Sequence, residues 1–182
     1  EAAVKDLEKV KEAAEKMAQV NKVIDREDTD VDDAGSPVGV LDLTEEFAAK
    51  ASDIFECLTN RDKIAAYSRS SGPIVEARQG GSFSIFGGQI TGGIEEIVRP
   101  EFMKQKWRMA DWPSGCFSDL SITMRELGDH NGCLLELKQR GIPKNCVQST
   151  QKHWKERVFN QIKIVYGYGA VEGAHSQMFG GL

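Results

Sequence analysis

Long apolar runs and an excess of positive charge are both missing from this chain. Its 23 Lys and Arg against 28 Asp and Glu give a formal net charge of −5, which disfavours nucleic acid and anionic membranes as partners, because both select clustered cations. No apolar run approaches the roughly 20 residues that span a bilayer. No signal peptide is recognisable after Glu1, and we expect the chain to be a fragment. The prediction is a soluble, cytoplasmic protein with no nucleic-acid partner and no membrane partner.

Cysteine and histidine are scarce, with four and three residues. The cysteines lack C-x-x-C spacing and have no regularly spaced histidines nearby, so we expect no metal site and no cofactor. Cys116 and Cys133 fall on neighbouring predicted strands, but the strand register puts them out of alignment for a disulfide. Four reduced, structural thiols are therefore expected, which fits a cytosolic compartment.

A catalytic constellation is also missing. Catalysis needs a nucleophile and base, a carboxylate pair or metal ligands within reach of one another. His130 falls in a predicted turn and His175 in the C-terminal tail, while His153 lies among charged neighbours on a helix face that we expect to be solvated. The Gly-Gly pairs at positions 80, 87 and 92 have no lysine and no following helix to cradle a phosphate. The sequence predicts a binding protein and not an enzyme.

The segments that flank the central part of the chain have distinct compositions. Residues 1–24 carry apolar side chains at every third or fourth position, which predicts an amphipathic helix that packs on the following domain, on a second chain or on a preceding domain. Its stripe consists of Val4, Leu7, Val10, Ala14, Met17, Val20 and Ile24. Residues 25–37 are acidic, which predicts a flexible linker, with an acidic binding segment as the alternative. Residues 171–182 are small and polar, which predicts a disordered tail.

Residues 38–170 have the pattern of one α+β domain. Val38–Phe47 is predicted to form a first strand. Ser52 is predicted to cap a short helix, and Asn60 a second one over Arg61–Tyr67. Short strands with turns every eight to twelve residues follow, which is typical of an antiparallel meander.

The clearest feature of the meander is a hairpin around an Asn-Gly turn, a sequence that readily adopts positive φ. Apolar and polar residues alternate along both of its strands. Matching the apolar faces pairs Met124 with Leu135 and Ile122 with Leu137, and a slip of one residue would expose both apolar sets.

Beyond the strands the apolar period becomes helical, and Trp154, Val158, Ile162 and Val165 form one stripe. A helix over residues 150–166 is roughly 25 Å long at 1.5 Å per residue, which matches a strand of about eight residues. One helix can therefore lie across the whole sheet. The predicted fold is a curved antiparallel sheet wrapped around a long C-terminal helix, the helix-grip arrangement, with a separate N-terminal amphipathic helix.

The predicted core combines the inward-facing residues of this sheet and this helix. Its members are Trp107, Ile122, Met124, Leu135, Leu137, Trp154, Val158 and Ile162. Trp154 starts the helical stripe, so we expect it to point into the concave sheet and to contribute strongly to stability.

A candidate partner-binding surface combines a cationic strand face with the loop that follows it. Lys104, Lys106 and Arg108 alternate with other residues and therefore share one face of a strand. Such a face is otherwise simply solvated, but the next loop presents Trp112 and Pro113, and Trp and Arg are enriched at binding hot spots. We expect Trp112 to be an exposed contact residue.

Four segments of the chain together resemble a known family. In order they are FECLTNRDKIAAYSRS, EARQGGSFSIFGGQITGGIEEI, KQKWRMADWPSG and HWKERVFNQIKIVYGYG. Their order and spacing resemble the C-terminal domain of the activator of heat-shock protein 90 ATPase, over about residues 38–170. The resemblance implies the START-like helix-grip fold. It also implies a cytoplasmic co-chaperone, active in protein folding and the stress response, that binds the heat-shock protein 90 dimer and stimulates its ATPase by favouring the closed N-terminal state.

The resemblance also leaves an alternative. Full-length members carry an N-terminal domain that starts with an asparagine- and tryptophan-rich motif, and this sequence has no such motif. The fold superfamily contains lipid carriers, so the alternative function is a START-like carrier of a small apolar ligand between the sheet and the terminal helix. Residues such as Ile122, Leu135, Trp154 and Ile162 would line that cavity, although side chains of this size tend to fill it.

Overall fold

The computed structural model describes residues 31–33, 35–128 and 132–169. The predicted helix of residues 1–24, residues 25–30 of the acidic segment, the turn at His130 and the tail over 171–182 lie outside the described residues. Within them, seven strands form one antiparallel sheet in the order β1-β7-β6-β5-β4-β3-β2. The strands are β1 (Val38–Phe47), β2 (Ile74–Val75), β3 (Ser82–Ile85), β4 (Ile90–Val98), β5 (Phe102–Met109), β6 (Ser118–Leu127) and β7 (Gly132–Pro143).

Two short helices follow β1, namely α1 (Ala51–Thr59) and α2 (Arg61–Ser68). The Asn60 side chain accepts hydrogen bonds from two first-turn amides of α2, which confirms the predicted cap. At α1 the cap is Lys50, whose amide donates to the Asp53 carboxylate at 3.2 Å. The prediction of Ser52 as the cap is wrong, because the cap is two residues earlier and the Asp53 carboxylate accepts from the Lys50 amide.

The terminal helix, α3, consists of three consecutive segments: Val147–Lys152, a π-helical stretch over His153–Phe159, and Asn160–Tyr166. A short 3₁₀ turn precedes it, and the helix begins about one turn earlier than predicted. In the π-helical stretch the amide of Asn160 donates to the carbonyl of Lys155, five residues back. Within the described residues, no helix is both long enough and apolar enough to cross a membrane.

The predicted register of the β6–β7 hairpin is confirmed, with Ile122 opposite Leu137 and Met124 opposite Leu135. β1 has the predicted bounds and pairs with β7 along its whole length. Alternation of apolar and polar residues decides these registers, since only one register buries both apolar sets.

The core lies between the concave face of the sheet and α3. Every predicted core residue is buried, namely Trp107, Ile122, Met124, Leu135, Leu137, Trp154, Val158 and Ile162. Val165 is 41% exposed, so its predicted place in the stripe is wrong. Two adjacent buried residues, His153 and Trp154, are followed five positions later by two more, Val158 and Phe159. A spacing of five is that of a π turn, and this wider turn shifts the buried face along the helix.

The end of α3 is tied to both β1 and α2. The amide of Ala48 donates to the Tyr168 carbonyl at 2.9 Å, and the Tyr166 hydroxyl donates to the Lys63 carbonyl at 3.0 Å. Gly167 ends the helix with a φ of 69°, a left-handed conformation that glycine adopts without steric cost. These contacts fix the helix across the sheet.

Candidate partner-binding site

Strand β5 lies inside the sheet and separates a core face from a solvent face. Met103, Gln105 and Trp107 are buried, whereas Lys104 and Lys106, which alternate with them, are exposed. The two lysines therefore lie on the convex face, opposite α3, as the alternation predicts.

Each of these lysines has a carboxylate partner on a neighbouring strand. Lys106 Nζ lies 2.5 Å from Asp119 Oδ1 of β6, and Lys104 Nζ lies 3.5 Å from Glu95 Oε2 of β4. Partial burial lowers the pKa of Lys106, but the hydrogen bond and charge of Asp119 outweigh it and leave this pKa raised. Exposed pairs contribute only about 0–1 kcal/mol, so both lysines can exchange these carboxylates for those of a partner.

Arg108 is held by carbonyls and by an aromatic ring. Its guanidinium donates to the Trp112 carbonyl at 2.8 Å and to the Met109 carbonyl at 3.3 Å. Its Cζ lies 5.5 Å from the centroid of the Phe117 ring, a cation–π contact worth about 0.5–1 kcal/mol at an exposed site. Among the residues that the structure describes, no carboxylate forms an ion pair with Arg108. The guanidinium is therefore fixed in place and able to accept a carboxylate from outside.

Trp112 lies in the core and not on the surface. Its side chain is 3% exposed, and its ring meets the Trp107 ring edge-on with centroids 5.5 Å apart. Trp107 in turn stacks on Trp154 at 5.6 Å. The prediction of Trp112 as an exposed contact residue is wrong, because the loop after β5 returns its ring to the core while Pro113 stays exposed.

Phe117 takes the position expected for Trp112. Its side chain is 44% exposed. The β5–β6 register pairs Lys106 with Asp119 and Trp107 with Ser118, so the next position in this register places Arg108 beside Phe117. The signal in the sequence is the outward series Phe117, Asp119, Ser121, in which one large aromatic residue interrupts polar positions. We call the surface formed by Lys104, Lys106, Arg108, Pro113 and Phe117 the β5 corner.

A small cavity lies between the sheet and α3. Its volume is about 30 Å³. Ile122 and Trp154 line it as expected, whereas Leu135 and Ile162 do not. Ligand pockets are typically about 300–1,000 Å³, so this cavity has about a tenth of the volume of a small ligand pocket.

Three buried polar side chains belong to the cavity lining, namely those of Tyr67, Gln105 and His153. The Tyr67 hydroxyl and the His153 ring form no hydrogen bond within the described part of the chain. Gln105 makes one weak contact, to the sulfur of Met103 at 3.7 Å.

The prediction that His153 lies on a solvated face is wrong. Its ring is 7% exposed and lies edge-on to Phe86, with centroids 4.8 Å apart. Burial, and to a smaller extent the charge of Arg157, lowers the pKa of His153 to about 4. The imidazole is therefore neutral near pH 7 and behaves as a core ring.

The comparisons with known proteins agree with one another. The family model described as "Activator of Hsp90 ATPase homolog 1-like protein" matches residues 48–167. "Activator of 90 kDa heat shock protein ATPase homolog 1" of Mus musculus is 30% identical over 141 residues, which is 74% of this chain and 40% of the mouse protein. "Hsp90 co-chaperone AHA1" of Saccharomyces cerevisiae is 25% identical over 134 residues, or 71% of this chain and 38% of the yeast protein.

A solved structure matches as well. The crystal structure of an HSP90 activator from Plasmodium falciparum superposes with a TM-score of 0.67 at 25% identity, over 71% of this chain and 97% of that chain. The chain thus spans about two fifths of the length of the curated relatives it matches, and its sheet and helices correspond to nearly the whole of the solved one.

Proposed function

The chain belongs to the family of Activator of Hsp90 ATPase homolog 1-like proteins, and we propose that it is a cytoplasmic co-chaperone module that binds the Hsp90 dimer and stimulates its ATPase. The observation that carries this proposal is the family match over residues 48–167, which takes in α1, α2, the strands from β2 to β7 and α3. The names of its relatives and the fold of the solved activator support the same conclusion.

The proposed mechanism is a shift in the conformational equilibrium of the chaperone. A binding module changes such an equilibrium only by its differential affinity for the two states. The module is therefore proposed to bind the closed N-terminal state more tightly than the open state. A tenfold preference corresponds to about 1.4 kcal/mol.

We expect the full chain to bind Hsp90 at least about tenfold more tightly when a non-hydrolysable ATP analogue is present. The reason is that the analogue populates the closed state that the module prefers. Titration calorimetry with and without the analogue measures the ratio, and an Hsp90 variant that cannot bind nucleotide is the control. Equal dissociation constants in the two titrations would contradict the closed-state mechanism.

We propose that the β5 corner is the surface that contacts Hsp90. Changing Lys104, Lys106 and Arg108 to Glu is expected to slow association about tenfold at low salt and to flatten its salt dependence, because exposed charges act mainly on encounter. Stopped-flow kinetics over a salt series measures both. The matched control reverses three exposed cations on the helices: Arg61→Glu, Lys152→Glu and Lys155→Glu.

Phe117 separates the aromatic contribution from the charge contribution. Phe117→Ala is expected to speed dissociation with little change in association, because an aromatic anchor acts after encounter. Circular dichroism confirms that each variant is folded. An equal slowing by the corner and control triples, with no effect of Phe117→Ala, would move the interface to another surface.

The carrier alternative lacks support from the cavity, whose volume of about 30 Å³ is far below that of a typical ligand pocket. Fatty acids and sterols are therefore expected to leave the melting temperature unchanged. A ligand at 100 times its dissociation constant would add about 2.7 kcal/mol of stability, which a thermal-shift screen detects. A reproducible, saturable shift would favour the carrier function.

A further inference from the structure

The residues before β1 form a tight turn that is fixed to the sheet. The Asp32 amide donates to the Ser36 carbonyl at 2.8 Å, the Gly35 amide donates to the Asp32 carbonyl at 2.9 Å, and the Asp32 carboxylate accepts from the Ser36 amide at 2.7 Å. The Lys144 amide donates to the Pro37 carbonyl at 3.1 Å. Backbone bonds therefore set where this turn lies, next to the end of β7.

The turn carries two carboxylates, Asp32 and Asp33, and lies at the same end of the sheet as the β5 corner. Burial lowers the pKa of Lys106, and neighbouring carboxylates, Asp33 among them, raise it. Burial raises the pKa of Cys116, and the charge of Asp32 raises it further. Cys116 directly precedes Phe117 of the corner. The strand register places the turn independently of these shifts. Val40 of β1 lies opposite Arg140, Arg140 lies opposite Asp119, and Asp119 lies opposite Lys106. The start of β1, and the turn before it, therefore lie at the end of the sheet where β5 ends, three strand spacings or about 14 Å from β5.

More carboxylates precede the turn. The segment over residues 25–33 carries six of them: Asp25, Glu27, Asp28, Asp30, Asp32 and Asp33. Val31 pairs with Pro37 in an antiparallel bridge, so the chain upstream of residue 31 starts from a fixed point at the sheet. Six residues reach about 20 Å when extended, which exceeds the about 14 Å that separates β1 from β5 across β7 and β6.

We propose that the acidic run, residues 25–33, docks in cis on the β5 corner and competes there with an acidic surface of the partner. Charge identifies the occupant: Arg108 has no carboxylate partner among the described residues, and Lys104 and Lys106 hold theirs in exposed pairs. A tethered segment has an effective concentration in the millimolar range, so even a weak contact keeps the corner occupied. The competition rests on the proposed function, whereas the docking does not.

The thiol of Cys116 reports on this contact. In the full chain with Cys146→Ser it is the accessible cysteine, because Cys57 and Cys133 are fully buried. The test variant changes the four upstream carboxylates to amides: Asp25→Asn, Glu27→Gln, Asp28→Asn and Asp30→Asn. The measurement is the ratio of two reaction rates at 0.1 M salt, one with the anionic dithiobis(nitrobenzoate) and one with neutral iodoacetamide. Any change in thiol pKa affects both rates and cancels in the ratio.

The ratio is expected to rise about threefold or more in the test variant, because carboxylates near the thiol repel the anionic reagent. The matched control neutralises four exposed carboxylates at the far ends of β1 and β5 and on the helices: Glu46→Gln, Asp62→Asn, Glu101→Gln and Glu156→Gln. Its ratio is expected to stay at the wild-type value. An unchanged ratio in the test variant, or an equal rise in the control, overturns the docking.

Titration of the same variants with Hsp90 keeps the two proposals apart. A raised thiol ratio in a chain that does not bind Hsp90 supports the docking and refutes the proposed function. An unchanged thiol ratio in a chain that binds Hsp90 supports the proposed function and refutes the docking. Where both hold, the test variant is expected to associate with Hsp90 faster than the wild type, and an equal association rate overturns the competition.

Discussion

Trp112→Ala is expected to lower the free energy of unfolding by about 3–5 kcal/mol, the range for removing a buried aromatic side chain. The ring is 3% exposed and packs on Trp107, which stacks on Trp154, so the substitution leaves a void inside a three-tryptophan cluster. A domain of this size has about 5–15 kcal/mol of stability in total, and the melting temperature should fall by on the order of 10 °C or more. Urea unfolding measures the change.

Phenylalanine at the same position tests the burial in a second way. The indole N–H of Trp112 is buried without a hydrogen-bond partner among the described residues. Trp112→Phe keeps most of the ring and removes this N–H, whose burial costs about 1–3 kcal/mol. The two effects oppose each other, so we expect a net change within about 1 kcal/mol.

Trp154→Phe is the matched control, because Trp154 uses its N–H. The indole donates to the Gln139 side chain at 3.0 Å, Gln139 donates to the Ser118 hydroxyl at 2.7 Å, and Ser118 donates to the Trp107 carbonyl at 2.8 Å. Removing the indole N–H leaves the Gln139 oxygen unsatisfied, so we expect an additional loss of about 1–3 kcal/mol. If Trp112→Phe costs as much as Trp154→Phe, or if Trp112→Ala is tolerated, the core placement of Trp112 is wrong.

Acid is expected to destabilise the domain through His153, by roughly 2–3 kcal/mol between pH 7 and pH 4.5. Its pKa in the folded state is about 4, lowered from 6.5 first by burial and then by Arg157. Above pH 6.5 the imidazole is neutral in both states and makes no difference. Between pH 6.5 and pH 4 the imidazole is protonated in the unfolded state and neutral in the folded state. The free energy of unfolding therefore falls as the pH falls through this range. Below about pH 4 both states are protonated and the loss levels off.

His153→Phe isolates this contribution from that of the carboxylates. Phenylalanine preserves an aromatic ring against Phe86 and Trp107, which both contact His153, and it cannot titrate. Urea unfolding of wild type and variant at pH 7.0 and 4.5 gives the difference in slope, and the titrations shared by both proteins cancel. Parallel loss of stability in the two proteins would show that His153 is not buried as a neutral ring.

Local signals in the sequence were sufficient for much of the fold. The Asn60 cap involves amides two and three residues away, and the hairpin register that pairs Ile122 with Leu137 follows from alternation on two adjacent strands. In both cases the interacting groups are close along the chain, so pattern alone specifies the geometry. The cationic face of β5 was predictable for the same reason, because side chains alternate between the two faces of a strand.

Tertiary structure decided the features that depend on distant parts of the chain. Trp112 followed by Pro113 has the composition of an exposed loop, and only the cluster with Trp107 and Trp154 buries its ring. His153 has charged neighbours, yet the π turn presents it to Phe86. The ion pairs of Lys104 and Lys106 likewise depend on which strands lie on either side of β5.

The sequence by itself determined the order of the elements and the inward-facing residues of the sheet and α3 that were predicted as core, because alternation and helical period act within one element or between neighbours. Which aromatic residue reaches the surface beside Arg108 was decided only by the fold. Phe117 and Trp112 are both aromatic residues near a turn. Trp112 is buried because its ring packs against Trp107, and Phe117 is exposed beside Arg108. That choice is made by packing across the sheet, where the free energy gained by burying one ring exceeds any local preference of the loop.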